Sequence, residues 1–256
     1  MEIKPIAHFR SPFATKFGIP RQAGLAGVEG RIVFEPGYRS PEAVRGLEDF
    51  DYIWLIWEFS RVSREGSASP ACASGGIPGC GPGPAPGSEP ADKTSFRATV
   101  RPPRLGGNER VGVFASRSPF RPNRLGLSSV RLVSVDYDSA DSSGAPLGPV
   151  INVVGADLMD GTPVYDIKPY LAYADSHEGA RSGFVDSVGW KPLEVVFPDG
   201  ALSSGLDLGV LSEVLSLDPR PAYSRQDPDR LYGMAFGGHD IRFKVEGNIL
   251  RVVDIV

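Results

Sequence analysis

Eight arginines stand between positions 97 and 131 (97, 101, 104, 110, 117, 121, 124 and 131), against a single acid, Glu109. The segment carries +7 within a chain whose net charge is −4. Segregation this strong points to a local anion-binding face on an otherwise acidic body. Two words inside it set arginine beside proline and glycine. They are Arg101-Pro102-Pro103-Arg104-Leu105-Gly106-Gly107-Asn108 and Arg117-Ser118-Pro119-Phe120-Arg121-Pro122-Asn123-Arg124-Leu125-Gly126. Proline stiffens the approach, and glycine lets main-chain N–H groups come close to a ligand. The planar guanidinium grips phosphate or carboxylate at two points. A third word, Asp157-Leu158-Met159-Asp160-Gly161-Thr162-Pro163-Val164-Tyr165-Asp166-Ile167-Lys168-Pro169-Tyr170, is dense in polar groups. Gly161, Pro163 and Pro169 break it, so it reads as an irregular segment whose backbone needs a ligand or a neighbouring loop.

The elements that position these words read mainly as strands. Ile3 to Phe9, Gly30 to Glu35, Tyr52 to Phe59, Val111 to Ala115, Ser129 to Tyr137 and Val150 to Ala156 are short apolar or alternating runs between turn residues. Ser40-Pro41-Glu42 starts a short helix that closes near Gly46. Leu208, Leu211 and Leu215 recur at helical spacing over Leu208 to Leu217. Ile241 to Val245 and Ile249 to Val253 flank Glu246-Gly247-Asn248, a hairpin signal. From Gly66 to Ala91 the chain is Gly, Pro, Ser and Ala with almost nothing to bury, a flexible insertion. A β-barrel-like domain over 1–197 and a small α+β domain over 198–256 are expected.

Other classes are disfavoured. No apolar run approaches bilayer length, since Tyr52 to Phe59 is interrupted by Glu58. Met1 to Arg10 has no apolar signal core, and Cys72 and Cys80 give no disulfide framework, so a reducing cytoplasm is expected. The histidines at 8, 177 and 239 are scattered, which leaves no metal site to expect.

Together with Pro20-Arg21-Gln22, Gly112-Val113-Phe114-Ala115 and Asp218-Pro219-Arg220-Pro221-Ala222-Tyr223, the three words resemble the TrmO (YaeB/TsaA-like) family. The likeness covers nearly the whole chain outside the insertion. It implies a methyltransferase using S-adenosyl-L-methionine on tRNA, at N6 of the threonylcarbamoyladenosine beside the anticodon. It also implies a homodimer and a single-sheeted β-barrel in place of a Rossmann fold, in keeping with the lack of a G-x-G-x-x-G after a strand. By the same resemblance Pro20, Arg21, Gln22, Ser60, Arg61, Arg117, Leu127, Asp160, Gly161, Thr162 and Pro163 contact the methyl donor. Ser60-Arg61 departs from the family's more usual His-Gln, and Arg124 stands where proline is more usual. Arg101, Arg104, Arg121, Arg124, Lys168 and Arg220 then face RNA phosphate.

Methyl transfer from a sulfonium is an in-line displacement, so positioning supplies much of the rate. The acceptor nitrogen must also lose a proton, which invites a base. Asp160, Asp166, Asp218 and Tyr223 are the candidates within the motifs; Asp166, Asp218 and Tyr223 are kept as catalytic candidates and Asp160 as a donor contact. Two other classes compete: a non-catalytic S-adenosylmethionine-binding regulator, and an RNA-binding module without a donor site.

Overall fold

This computed structural model describes residues 2–59, 97–102, 109–221, 227 and 229–256. Ser60, Arg61, Arg104, Tyr223 and the 66–91 insertion lie outside them. Three strands come first, β1 (Ala7–Arg10), β2 (Glu29–Phe34) and β3 (Tyr52–Glu58), followed by a two-stranded ribbon of β4 (Thr99–Val100) and β5 (Val111–Gly112). Then come β6 (Leu125–Ala140), β7 (Pro146–Val154) and β8 (Pro163–Pro169). Six of these close into a barrel in the order β1-β2-β7-β6-β3-β8, every neighbouring pair antiparallel.

Strand alternation explains the closure. Ala7 and Phe9, Ile32 and Phe34, Ile53, Leu55 and Trp57, Val130 and Leu132, Ile151 and Val153, and Val164 turn inward and form one buried cluster. Two glycines make room for the largest of them. A Cβ on Gly30 would lie 2.1 Å from the Phe9 ring, and one on Gly126 would lie 2.3 Å from the Trp57 indole.

The Asp157 to Tyr170 word is not irregular throughout, because β8 occupies half of it. The prolines do not break the strand: they open and close it. The amides of Ile6, just before β1, and of Phe9 within it donate to the carbonyls of Val164 and Thr162, so the N–H that Pro163 lacks is not required. The backbone just upstream is satisfied by a neighbouring loop, with Asp160 N donating to Phe13 O and Gly161 N to Phe9 O. The strand expected over Val111 to Ala115 is shorter, turning into a 3-10 helix at Val113–Ala115. Helix α1 (Pro41–Val44) forms where Ser40-Pro41-Glu42 signals it, and α2 (Ala172–Asp175) follows β8.

A second sheet has the order β10-β11-β12-β9, from β9 (Glu194–Val196), β10 (Tyr232–Phe236), β11 (His239–Glu246) and β12 (Ile249–Ile255). Its β9 lies upstream of residue 198 and pairs in parallel with β12. Helix α3 (Leu208–Ser216) packs on it through Leu211, Val214 and Leu215, and Asp207 caps its start by accepting from Gly209 N and Val210 N.

The β1–β2 connection joins the two units. Phe13, Ala26 and Val28 are buried in the second core, not in the barrel. Phe13 meets Phe236 edge-on with centroids 5.3 Å apart, and Phe17 stacks near Tyr232 and Phe243. Gly27 N donates to Glu213 of α3 at 2.7 Å. Phe13→Ala should therefore cost about 3–5 kcal/mol of unfolding free energy, by loss of burial and by the cavity left behind. Chemical denaturation checks this, and a cost under about 1 kcal/mol would show that the two cores are not joined through this ring.

Candidate active site

Antiparallel closure gathers the chemically suggestive words. β1 ends and β2 begins at one end of the barrel; the same end receives the close of β3 and of β7 and the start of β6 and β8. The registers confirm the shared level: Glu29 pairs with Val154, Glu58 with Leu125, Trp57 with Val164 and His8 with Pro163. Three connections emerge there, and they carry Pro20-Arg21-Gln22, the Arg117 word and the Asp157 to Pro163 segment.

Contacts tie these connections together. The exposed Arg117 donates through Nη1 to Gln22 Oε1, linking the β5–β6 and β1–β2 connections. Gly24 N donates to Gly155 O and Gly155 N to Val28 O, pinning the β1–β2 connection across the end of β7. Beneath them runs a polar chain that the motifs did not single out. Trp57 Nε1 donates to Ser128 Oγ at 3.0 Å, and Ser128 Oγ donates to Asp157 Oδ1 at 2.5 Å. Burial raises the Asp157 carboxyl above its ordinary 3.8, opposed by the Ser128 hydrogen bond and by the positive charge of Arg117. Ser128 is the one polar inward position of β6, at 3% exposure, and that break in an apolar alternation was its sequence signal.

The Asp160 turn is held from the β1 side. Asp160 Oδ1 accepts from Ser11 N at 3.2 Å, and Arg10 Nη1 lies 3.8 Å from its other oxygen. Gly161 takes a left-handed φ of 75°. Thr162 is buried with its hydroxyl donating to Met159 O at 2.7 Å, and Pro163 is buried beside it. Leu127 lies on the outer wall, 55% exposed, paired with Ile56; Asp166 flanks the other side of Ile56. Asp166 Oδ1 accepts from Ile167 N at 3.0 Å. Near them Tyr165, the extra residue at the β3–β8 register shift, donates to Glu58 Oε2 at 2.5 Å. Desolvation, then the Glu58 hydrogen bond, push its phenol up to about 12.

Other expected residues stand elsewhere. Lys168 pairs with Trp54, toward the opposite end of the barrel. Arg220 is 5% exposed and grips Asp218, its Nε donating to Oδ1 at 2.8 Å and Nη2 to Oδ2 at 3.2 Å. Asp218 follows α3 with a left-handed φ of 55° and is itself buried. The pair is thus turned inward, away from the RNA-facing surface expected of Arg220. Asp218 and Pro219 nonetheless line a cleft of about 200 Å³ with Lys16, Phe17, Pro20 and Arg21, which joins the Pro20 word to the C-terminal one. Arg121 Nη1 donates to the carbonyls of Val113 and Ser116, and so shapes its own loop. Arg101 is exposed after β4, and Arg124 is half-buried with φ 51°. Among the described residues no group of three or more His, Cys, Asp or Glu could hold a metal ion, and no helix is long and apolar enough to cross a membrane.

Asp157 generates a pH prediction. A carboxyl whose value is higher folded than unfolded adds stability that is complete below 3.8 and is lost as pH rises through the raised value. Asp157→Asn cannot ionise, so it should gain stability relative to the wild type as pH rises across that window. Denaturation at a series of pH values reads the difference, and a difference flat across the window would contradict the buried carboxyl.

Comparisons with known proteins bear on the family of the chain. Residues 8–79 and 88–176 match the model of the tRNA-methyltransferase O N-terminal domain, and residues 201–256 match the TrmO C-terminal domain. The chain is 34% identical over 254 residues to the tRNA (adenine(37)-N6)-methyltransferase of Escherichia coli K12, covering 95% of this chain and 93% of that protein. It is 29% identical to a protein of Pyrococcus abyssi named "Probable S-adenosyl-L-methionine-binding protein", covering 78% and 84%. The crystal structure of TrmO from Pseudomonas aeruginosa superposes with a TM-score of 0.66 at 28% identity, covering 100% of this chain and 98% of that one. The chain belongs to the TrmO family.

Proposed function

We propose that this chain is an S-adenosyl-L-methionine-dependent tRNA methyltransferase that methylates N6 of threonylcarbamoyladenosine 37, beside the anticodon. The observation that carries the reading is the convergence of three motif-bearing connections at one barrel end, with Arg117 bonded across to Gln22. The name of the Escherichia coli relative supports adenine 37 of tRNA as the target. The Pyrococcus abyssi protein's name supports the donor.

The side chains present suit that donor. S-adenosylmethionine carries an ammonium, a carboxylate, a sulfonium and a flat heteroaromatic base whose faces suit apolar surface. This end of the barrel offers a cation at Arg117, carboxylates at Asp157 and Asp160, and an exposed apolar surface at Leu127. Pro20, Arg21, Gln22, Ser60, Arg61, Arg117, Leu127 and the turn Asp160, Gly161, Thr162, Pro163 hold the donor in this reading. Bound there, it supplies a methyl group activated by a sulfonium. The chain's own part is to fix the approach direction and to exclude water. Asp166, Asp218 and Tyr223 remain the catalytic candidates for taking the N6 proton. Asp218 would do so only after releasing Arg220, because both its carboxylate oxygens accept from that guanidinium. Arg101, Arg104, Arg121, Arg124 and Lys168 are the RNA contacts of the reading, Arg220 being taken up by Asp218, and a cytoplasmic homodimer is the assembly. Of those described, Arg101 and Lys168 stand exposed at the surface.

Incubation with S-adenosylmethionine and threonylcarbamoyl-modified tRNA should yield a nucleoside heavier by one methyl group. Equal methylation of tRNA with unmodified adenosine 37 would overturn the substrate, and no mass gain on either would overturn the enzyme. Gln22→Ala should weaken donor binding about tenfold by calorimetry, roughly the worth of a hydrogen bond to a charged group. Arg101→Ala should lower the slope of log affinity for tRNA against log salt by about one, as loss of a single phosphate contact requires. An unchanged slope would remove Arg101 from the RNA face.

A further inference from the structure

The loop between β5 and β6 has a second working side. Its first turn, Val113–Ala115, is anchored by Val113, which is 1% exposed. Ser116 Oγ donates to Val113 O at 2.9 Å, while Arg121 Nη1 donates to Val113 O at 3.2 Å and to Ser116 O at 2.7 Å. Two short serine turns continue the brace, Ser118 N donating to Ser116 Oγ and Phe120 N to Ser118 Oγ. The result is a fixed frame that holds two phenylalanines in the open, Phe114 at 69% exposure and Phe120 at 36%.

Each ring carries an arginine. The guanidinium carbon of Arg97 lies 4.5 Å from the Phe120 centroid, and that of Arg121 lies 5.6 Å from the Phe114 centroid. Exposed aromatic rings interleaved with arginine, in the segment that concentrates the chain's positive charge, match a ligand that is itself flat and flanked by anions. Unpaired RNA has that chemistry, because bases stack on aromatic faces while phosphates pair with guanidinium groups. The same loop reaches the donor side through Arg117 and Gln22, so a base stacked here would lie beside the methyl-donor end.

We propose that Phe114 and Phe120, with Arg97 and Arg121 over their rings, form a stacking platform for unpaired nucleobases of the RNA substrate. This rests on the reading of the chain as a tRNA methyltransferase and adds where the loop bases are held. Nothing is made or broken at the platform; it positions.

The test uses the full chain and a modified anticodon stem-loop with 2-aminopurine next to adenosine 37, read by fluorescence and by binding titration. The wild type should bind and quench the probe. Phe114→Leu and Phe120→Leu keep an apolar side chain but lose the aromatic face, and each should weaken RNA binding about fivefold or more and reduce the quenching. Phe114→Trp and Phe120→Trp should retain both. Affinity for S-adenosylmethionine, measured by calorimetry, should be unchanged in all four. Leucine variants that bind and quench like the wild type would overturn the platform, as would tryptophan variants that fail as badly as leucine. Leucine variants that instead change the sedimentation of the protein would make the surface a subunit contact and overturn it too. A wild type that quenches the probe yet never methylates the RNA would support the platform and sink the enzyme reading.

Discussion

The β1–β2 connection is the constraint on which the rest of the molecule depends. It leaves the barrel at Arg10, gives Phe13 and then Ala26 and Val28 to the second core, and returns at Glu29. Between those anchors it must cross the open end of the barrel, where Gly24 N and Gly155 O fix its height. Pro20, Arg21 and Gln22 are thereby held between two hydrophobic cores, each of which would have to open for them to move far. Burial of apolar side chains at both ends sets the position of polar ones in the middle. The second core, with α3 and β9–β12, thus contributes to the candidate site without supplying the residues expected to touch the donor.

The polar chain under that site follows from the same economy of space. Gly126 leaves room for the Trp57 indole, whose N–H then needs a buried acceptor, and Ser128 is the next inward position of β6. Serine can accept from Trp57 and still donate, so the demand passes to Asp157. A carboxyl placed there is desolvated, and Arg117 lies where its charge relieves part of that cost. Arg117 in turn donates to Gln22. One bulky side chain inside a small barrel therefore sets, through Ser128, the place of a buried carboxyl whose charge is felt by the guanidinium at the rim.

Much of this was legible in the residues. The aromatic and β-branched run of Tyr52 to Phe59, with no helical period, and the hairpin at Gly247 marked β3 and the β11–β12 pair, because a short apolar run bounded by turns suits a buried strand. The charge segregation over 97–131 and the ordered words marked the site. Asp157 was inside a quoted word yet given no role, since its importance comes from Trp57 and Ser128, distant in sequence and joined only by the β3–β6 and β7–β8 geometry. β8 was misread for a local reason: proline signals a break, and only the pairing with β1 shows that its missing N–H is not needed there. β9 has three residues and gains its identity from β12, so no local pattern could announce it. Arg220 was assigned to RNA by its charge, whereas burial opposite Asp218 decides its contacts.

Arg124 shows how one residue's backbone conformation ties a loop to a strand. Its φ of 51° lies in the left-handed region, which the ring of proline forbids. This conformation is used: Arg124 N donates to Arg121 O, and Arg124 O accepts from Phe59 N, just past the end of β3. The arginine loop is thereby tied to the strand from which the chain departs toward its long Gly- and Pro-rich insertion. A proline here would lose the bond to Arg121 O and force a different path into β6. Arg124 costs some backbone strain, of order 1 kcal/mol for a residue with a Cβ in this region, and the two hydrogen bonds offset it.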